Sequence, residues 1–145
     1  MKRKKFLIGW VVVMLLLIMG CENEGNQDTH LYKRAIHVEK QVGDSGNYEQ
    51  IRKVQEGKEV KRLKDALDQS EWQKEKIQMN RPPNYQFIFA FKNTQITDDP
   101  VQYKVWITPD HRQLEVVSGD SAYTKLPIEQ SATVFEVLTG EKLEQ

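Results

Sequence analysis

The stretch that decides the fold is Tyr85–Phe91, which reads YQFIFAF. Its four aromatic side chains stand at alternate positions, so in a β-strand they share one face. Ile88 and Ala90 on the opposite face indicate that this face is partly covered too. We therefore predict a central strand whose aromatic face packs against helices, in preference to the alternative of a ligand groove lined by the rings.

The patterns on either side of this strand predict further strands and two helices. Strand-like alternation or amphipathic periodicity marks each one. In chain order they are strands at Tyr32–Lys40 and Tyr48–Val54, a helix at Lys58–Gln69, strands at Tyr103–Ile107, from Leu114 and at Tyr123–Leu126, and a helix opened by Pro127 and closed by Gly140. The predicted fold class is α+β: a small antiparallel β-meander of three to four strands with two flanking helices on one face. It occupies a single domain, residues 30–145.

The N-terminus has the pattern of an export signal. A basic start, Lys2–Lys5, precedes an apolar run from Phe6 to Met19. This run is shorter than the roughly 20 residues that a helix needs to span the hydrocarbon core. The short run and the basic flank therefore favour a secretory signal over a permanent transmembrane anchor.

The end of this run, Ile18-Met19-Gly20-Cys21, resembles the lipobox of bacterial lipoproteins. The resemblance implies that the Cys21 thiol receives a diacylglyceryl group and that lipoprotein signal peptidase cleaves between Gly20 and Cys21. Residues 1–20 are then the signal peptide, and 21–29 the acylated cysteine and a flexible tether. Two acyl chains hold a protein stably at a bilayer, whereas one does so only marginally. An uncleaved signal anchor and a secreted protein with a free thiol are the alternatives.

Charge argues against nucleic-acid binding, and size indicates a single domain. Residues 1–20 contain four of the 21 basic residues and no acidic one, so a chain cut before Cys21 has 17 basic against 21 acidic residues, a net charge of about −4. Such a chain has no basic excess to attract nucleic acid, and we expect none as a partner. Its length suits one domain of ordinary size. Since Cys21 is the only cysteine, no intrachain disulfide forms.

Few residues carry recognisable chemistry. The three histidines lack metal-binding spacing, and no cofactor or metal is expected. Asp98, Asp99 and Asp110 would meet at one end of the meander if the strands pair in order, where they would form a calcium site. Asp98, Asp110 and His111 are the candidate site of a hydrolase. The segments Gly43–Gly46 and Gly119–Ser121 contain fragments of nucleophile motifs, but their composition is typical of turns.

Trp106 is the candidate interaction residue. It lies between Lys104 and Thr108 on the more polar face of its strand, where an exposed tryptophan would anchor a partner. Alternatively, the loop Arg81-Pro82-Pro83 packs over its ring. Trp106, Arg81, Pro82 and Pro83 together form the predicted interaction surface.

A combination of aromatic and turn residues completes the pattern: Trp72, Met79–Phe87, Tyr103 with Trp106, and Tyr123 with Leu126. It resembles small lipoproteins of Bacillus-type Gram-positive bacteria that contain a YhfM-like domain. The resemblance implies a lipid-anchored protein at the extracytoplasmic side of the cell membrane. We expect a non-enzymatic binding module that contacts membrane lipid through acylated Cys21 and binds a membrane or envelope protein. The alternative is a small cell-envelope hydrolase or metal-binding protein.

Overall fold

The computed structural model describes residues 33–96 and 99–144. The predicted signal peptide, Cys21 and the tether therefore lie outside the described residues, as do His30 and Asp98. In chain order the described elements are β1 (Arg34–Val42), β2 (Asn47–Val54), α1 (Gly57–Asp68), β3 (Tyr85–Phe91), β4 (Gln102–Ile107), β5 (Leu114–Ser118), β6 (Ala122–Lys125) and α2 (Ile128–Thr139).

All six described strands form one antiparallel sheet in the order β2-β1-β3-β4-β5-β6. The predicted α+β class with an antiparallel sheet and two helices is confirmed, but the count of three to four strands is wrong. The N-terminal hairpin joins the later meander because β3 pairs with β1, with His37 opposite Ile88. This pairing crosses a long connection, and local sequence patterns do not indicate it.

The core lies between the sheet and the two helices. The aromatic stripe of β3 enters it at Tyr85 and Phe87, which are buried, while Phe89 and Phe91 are half-buried. The Phe87 ring stacks on Tyr103 with centroids 4.8 Å apart, and Tyr85 meets Phe135 of α2 edge-on at 5.9 Å. The stripe is therefore core where α2 covers it and partly open further along the strand.

Both helices bury one face against the sheet and each other. In α1 the buried side chains are those of the predicted amphipathic stripe: Val60, Leu63, Ala66 and Leu67. Helix α2 ends at Gly140, whose left-handed backbone (φ 81°) lets its N–H donate to Glu136 O at 2.8 Å. Pro127 stands at the N-cap of α2, one position before its first turn.

The connection between α1 and β3, residues 70–84, crosses from one face of the sheet to the other. We call it the strap. Near its start, Gln73 and Tyr123 exchange two backbone hydrogen bonds of 2.8 and 3.0 Å, which places the strap along the edge strand β6. Near its end it contacts Trp106, whose side chain alternates with Val105 and therefore lies on the face away from the helices. The strap thus covers part of the second face.

Candidate functional site

Trp106 is buried, with 4% of its surface exposed. Its indole Nε1–H donates a hydrogen bond to the carbonyl oxygen of Arg81 at 2.9 Å. The expectation of an exposed tryptophan anchor is therefore wrong, because the strap covers the ring. The alternative arrangement, packing of the Arg81-Pro82-Pro83 loop over Trp106, is the one found.

The Arg81-Pro82-Pro83 loop is held by polar contacts at both ends. The Arg81 guanidinium donates to Asn84 Oδ1 at 2.9 Å and to the carbonyl oxygen of Ile107. Asn84 Oδ1 also accepts the backbone N–H of Ile107 at 2.9 Å. On the other side, the Tyr48 hydroxyl donates to the Pro83 carbonyl oxygen at 2.8 Å. The loop is thus fixed to β4 and to β2, the strand at the opposite edge of the sheet from β6.

Between the strap and the second face of the sheet runs an open groove of about 610 Å³. Three strands supply its floor and the strap supplies its long wall. The lining side chains come from the sheet (Gln86, Lys104, Trp106, Val117), the strap (residues 76–83) and the rim (Tyr48, Gly119, Asp120). Arg81, Pro82, Pro83 and Trp106, which the sequence analysis grouped together, therefore all line this groove.

The charges that line this groove are mainly positive. Lys76 and Arg81 are exposed on the strap, and Lys104 is half-buried on the floor. The one carboxylate among the lining residues is that of Asp120, whose side chain is 92% exposed and lies 4.0 Å from the Lys104 Nζ. Solvent screens so exposed a pair, so it neutralises Lys104 only weakly. The groove is suited to a ligand that presents a carboxylate or another anion.

Asp110 and His111 form a turn between β4 and β5. The Asp110 carboxylate accepts hydrogen bonds from the Thr108 hydroxyl at 2.5 Å and from the Arg112 N–H at 3.3 Å. These bonds, that of Thr108 above all, hold the pKa of Asp110 below its usual value. His111 has a left-handed backbone (φ 60°), and its N–H donates to Thr108 O at 2.9 Å. Both residues shape the turn.

The carboxylates predicted to converge do not do so where the structure describes them. Asp99 precedes β4 and Asp110 follows it, so the two lie at opposite ends of this six-residue strand. At about 3.3 Å per residue, the strand alone separates its ends by roughly 20 Å. Asp98 lies outside the described residues. Within residues 33–96 and 99–144 no group of three or more His, Cys, Asp or Glu side chains is arranged to hold a metal ion.

His37 lies half-buried on the second face of β1. Burial lowers its pKa, the nearby Lys53 lowers it further, and Glu39 acts in the opposite direction. The Glu39 carboxylate accepts a hydrogen bond from the Gln86 amide at 2.6 Å. This part of the second face is therefore partly enclosed, and Glu39 of β1 is paired there with Gln86 of β3.

Sequence reasoning missed the strap residues that complete the groove. Lys76 and Gln78 belong to a polar segment without helical or strand periodicity, so no local pattern places them over the sheet. The available signal was Trp106 itself, because a large apolar ring on a polar face requires a cover. The twin prolines mark the loop but do not identify the strand it covers.

Gly20 and Cys21 lie outside the described residues, which begin at Lys33, so cleavage and lipidation there stay a prediction. Among the described residues, no helix is both long and apolar enough to cross a membrane.

Comparison with known proteins gives one match. A protein-family model described as "YhfM protein" matches residues 33–144, which include every described strand and helix. No curated protein and no solved structure shows significant similarity to the chain.

Proposed function

The chain belongs to the YhfM family, and on that premise we propose that it is an extracytoplasmic lipoprotein whose domain is a binding module, not an enzyme. The acylated Cys21 holds it at the cell membrane. The groove beneath the strap binds an anionic segment of a membrane or envelope protein.

Support for lipid anchoring comes from the N-terminal sequence. The basic start, the short apolar run and Ile18-Met19-Gly20-Cys21 follow one another in the order of a lipoprotein signal. Cys21 is the only cysteine in the chain, and it stands at the position that the lipobox requires. Acylation by two chains gives stable attachment without a membrane-spanning helix.

The observation that carries the binding proposal is the strap fixed over Trp106. Its hydrogen bonds to Trp106 and Tyr48 keep the groove open and its wall in place, so little order has to be gained on binding. Lys76 and Arg81 on its wall and Lys104 on its floor provide three cations. An extended acidic segment would lie along the strap and pair its carboxylates with these cations.

Site-specific photocrosslinking in intact cells tests this proposal. We expect benzoylphenylalanine at Lys76 or Gln78, both exposed and lining the groove, to form an adduct with one envelope protein, identified by mass spectrometry. The same photoreactive residue at Lys58 of α1 or Glu129 of α2, exposed but outside the groove, serves as the matched control and should give no such adduct.

A charge reversal in the groove makes the test specific. Lys104→Glu should lower the adduct yield about tenfold or more, because like charges brought together at an interface cost several kcal/mol. Equal adducts from groove and control positions, or a yield that Lys104→Glu leaves unchanged, would contradict the assignment of the groove.

A further inference from the structure

The chain enters the sheet at one identifiable end. The first described residue, Lys33, accepts at its carbonyl oxygen a 2.8 Å hydrogen bond from the N–H of Lys92, and Arg34 pairs with Phe91. The start of β4 lies at this same end, since Gln102 pairs with Ile88 in the later half of β3, and the end of β5 lies there too, since Ser118 pairs with Tyr103. We call it the entry end. Any segment that links the domain to Cys21 must leave from here.

The entry end presents exposed apolar side chains. Ile96 is 46% exposed and Val101 is 54% exposed, the two highest values among the large exposed hydrophobic residues of the described chain. At the same end of the sheet, the Arg34 guanidinium lies 4.2 Å from the centroid of the half-buried Phe91 ring and donates to Phe89 O at 3.0 Å. An apolar surface with an aromatic ring and a guanidinium beside it resembles the groups found at membrane interfaces.

Charged side chains frame this apolar surface. Lys33 and Lys92 are exposed, and the carboxylates of Asp99 and Asp120 offset them. Because these charges nearly balance, electrostatic attraction to lipid headgroups would contribute little to contact between the entry end and a bilayer. Instead, the lysine stems can lie along the headgroups while Ile96 and Val101 reach the acyl boundary.

The length of chain before Lys33 places this end near the bilayer. Eleven residues, 22–32, separate Cys21 from the domain. Even fully extended, they reach at most about 40 Å. The entry end therefore stays close to the membrane surface, where even a weak apolar contact is populated.

We propose that the entry end is a membrane-docking surface, on which Ile96 and Val101 insert into the bilayer interface and orient the groove relative to it. This rests on the proposed anchoring through Cys21. The occupant is the lipid interface and not a second protein.

Fluorescence of the lipid-anchored protein in pure lipid vesicles tests this proposal. The full chain is produced with its acylated Cys21 and reconstituted in vesicles of phosphatidylglycerol and phosphatidylethanolamine. Val101→Cys or Ile96→Cys then supplies the only free thiol, which is labelled with the environment-sensitive fluorophore NBD. The matched control is Ile128→Cys, similarly exposed at 37%, at the start of α2 and the opposite end of the sheet.

We expect NBD at positions 96 and 101 to be severalfold more intense and shifted to the blue in these vesicles compared with NBD at position 128. Val101→Asp should reduce the intensity of NBD at position 96 to that at position 128. Equal spectra at all three positions would overturn docking while leaving the anchor intact. Failure of anchoring is recognised separately, because an unacylated Cys21 would itself take up the fluorophore in the wild-type protein.

Discussion

Ser131 joins the start of α2 to the sheet through one hydroxyl. Its Oγ accepts the backbone N–H of Leu114 at 3.0 Å and donates to Leu126 O at 3.1 Å, and the side chain is fully buried. The apolar periodicity of α2 does not reveal this role, because serine is polar and does not stand out as part of the buried stripe.

Removing the Ser131 hydroxyl leaves the buried Leu114 N–H without its acceptor. We expect Ser131→Ala to lower the free energy of unfolding by about 1–3 kcal/mol, the cost of an unsatisfied buried polar group. Urea denaturation measures this. In the control Thr133→Ala, which removes a hydroxyl on an exposed part of the same helix, the change should stay within about 0.5 kcal/mol. Equal effects of the two variants would contradict the role of Ser131.

Tyr123 gives the fold a pH dependence at alkaline pH. Burial, followed by its 2.7 Å hydrogen bond to the Glu115 carboxylate, raises the pKa of Tyr123 from 10.0 to about 12. The folded state therefore favours the neutral phenol. Its stabilising effect is complete below pH 10 and is lost as the pH rises towards 12, because the unfolded chain ionises first.

We expect the urea midpoint of the wild type to fall more steeply between pH 10 and about 12 than that of Tyr123→Phe. The free energy of unfolding that the wild type loses beyond Tyr123→Phe should not exceed about 1 kcal/mol, since solvent near the phenol screens its interaction with Glu115. Parallel pH profiles for the two proteins would show that Tyr123 contributes nothing. The raised pKa values of Tyr48 and Tyr85 affect both proteins equally.

At the scale of elements, local patterns locate strands and helices but not their partners. Alternation in Tyr85–Phe91 and helical spacing in α1 predict those elements to within a residue or two, because each depends on burying one face. The pairing of β1 with β3 and the path of the strap depend on contacts between distant residues. Asp99 and Asp110, close in sequence, are kept apart by the length of β4.

The strap is the element on which the proposed binding site depends. Trp106→Phe keeps most of the ring but removes the hydrogen bond to Arg81 O. Since such a bond contributes about 1 kcal/mol net, we expect the strap to open about fivefold more often. Tryptic cleavage after Lys76 should accelerate by the same factor, as cleavage follows the population of the open form.

Tyr48→Phe provides an independent variant for the strap. It removes the hydroxyl bond to Pro83 O and should accelerate the same cleavage, whereas Thr133→Ala should not. If neither Trp106→Phe nor Tyr48→Phe changes the cleavage rate, the strap is not held by these bonds.

At the scale of the whole molecule, the sequence predicts the fold class and the family, but it identifies only part of the site. The α+β class follows from elements that each bury one face. The groove forms only because the strap passes around the sheet. The sequence alone therefore does not show that Lys76 and Arg81 form the cationic wall of the groove. The proposed anchor is the reverse case, since its support lies entirely in the order of residues 1–21.

The most direct test of lipid anchoring is metabolic labelling with a radiolabelled fatty acid. We expect the wild-type protein to carry the label and to fractionate with membranes, and Cys21→Ala to carry none, because acylation requires that thiol. Equal labelling of the two proteins, or no labelling of either, would contradict the central claim that Cys21 anchors this domain to the membrane.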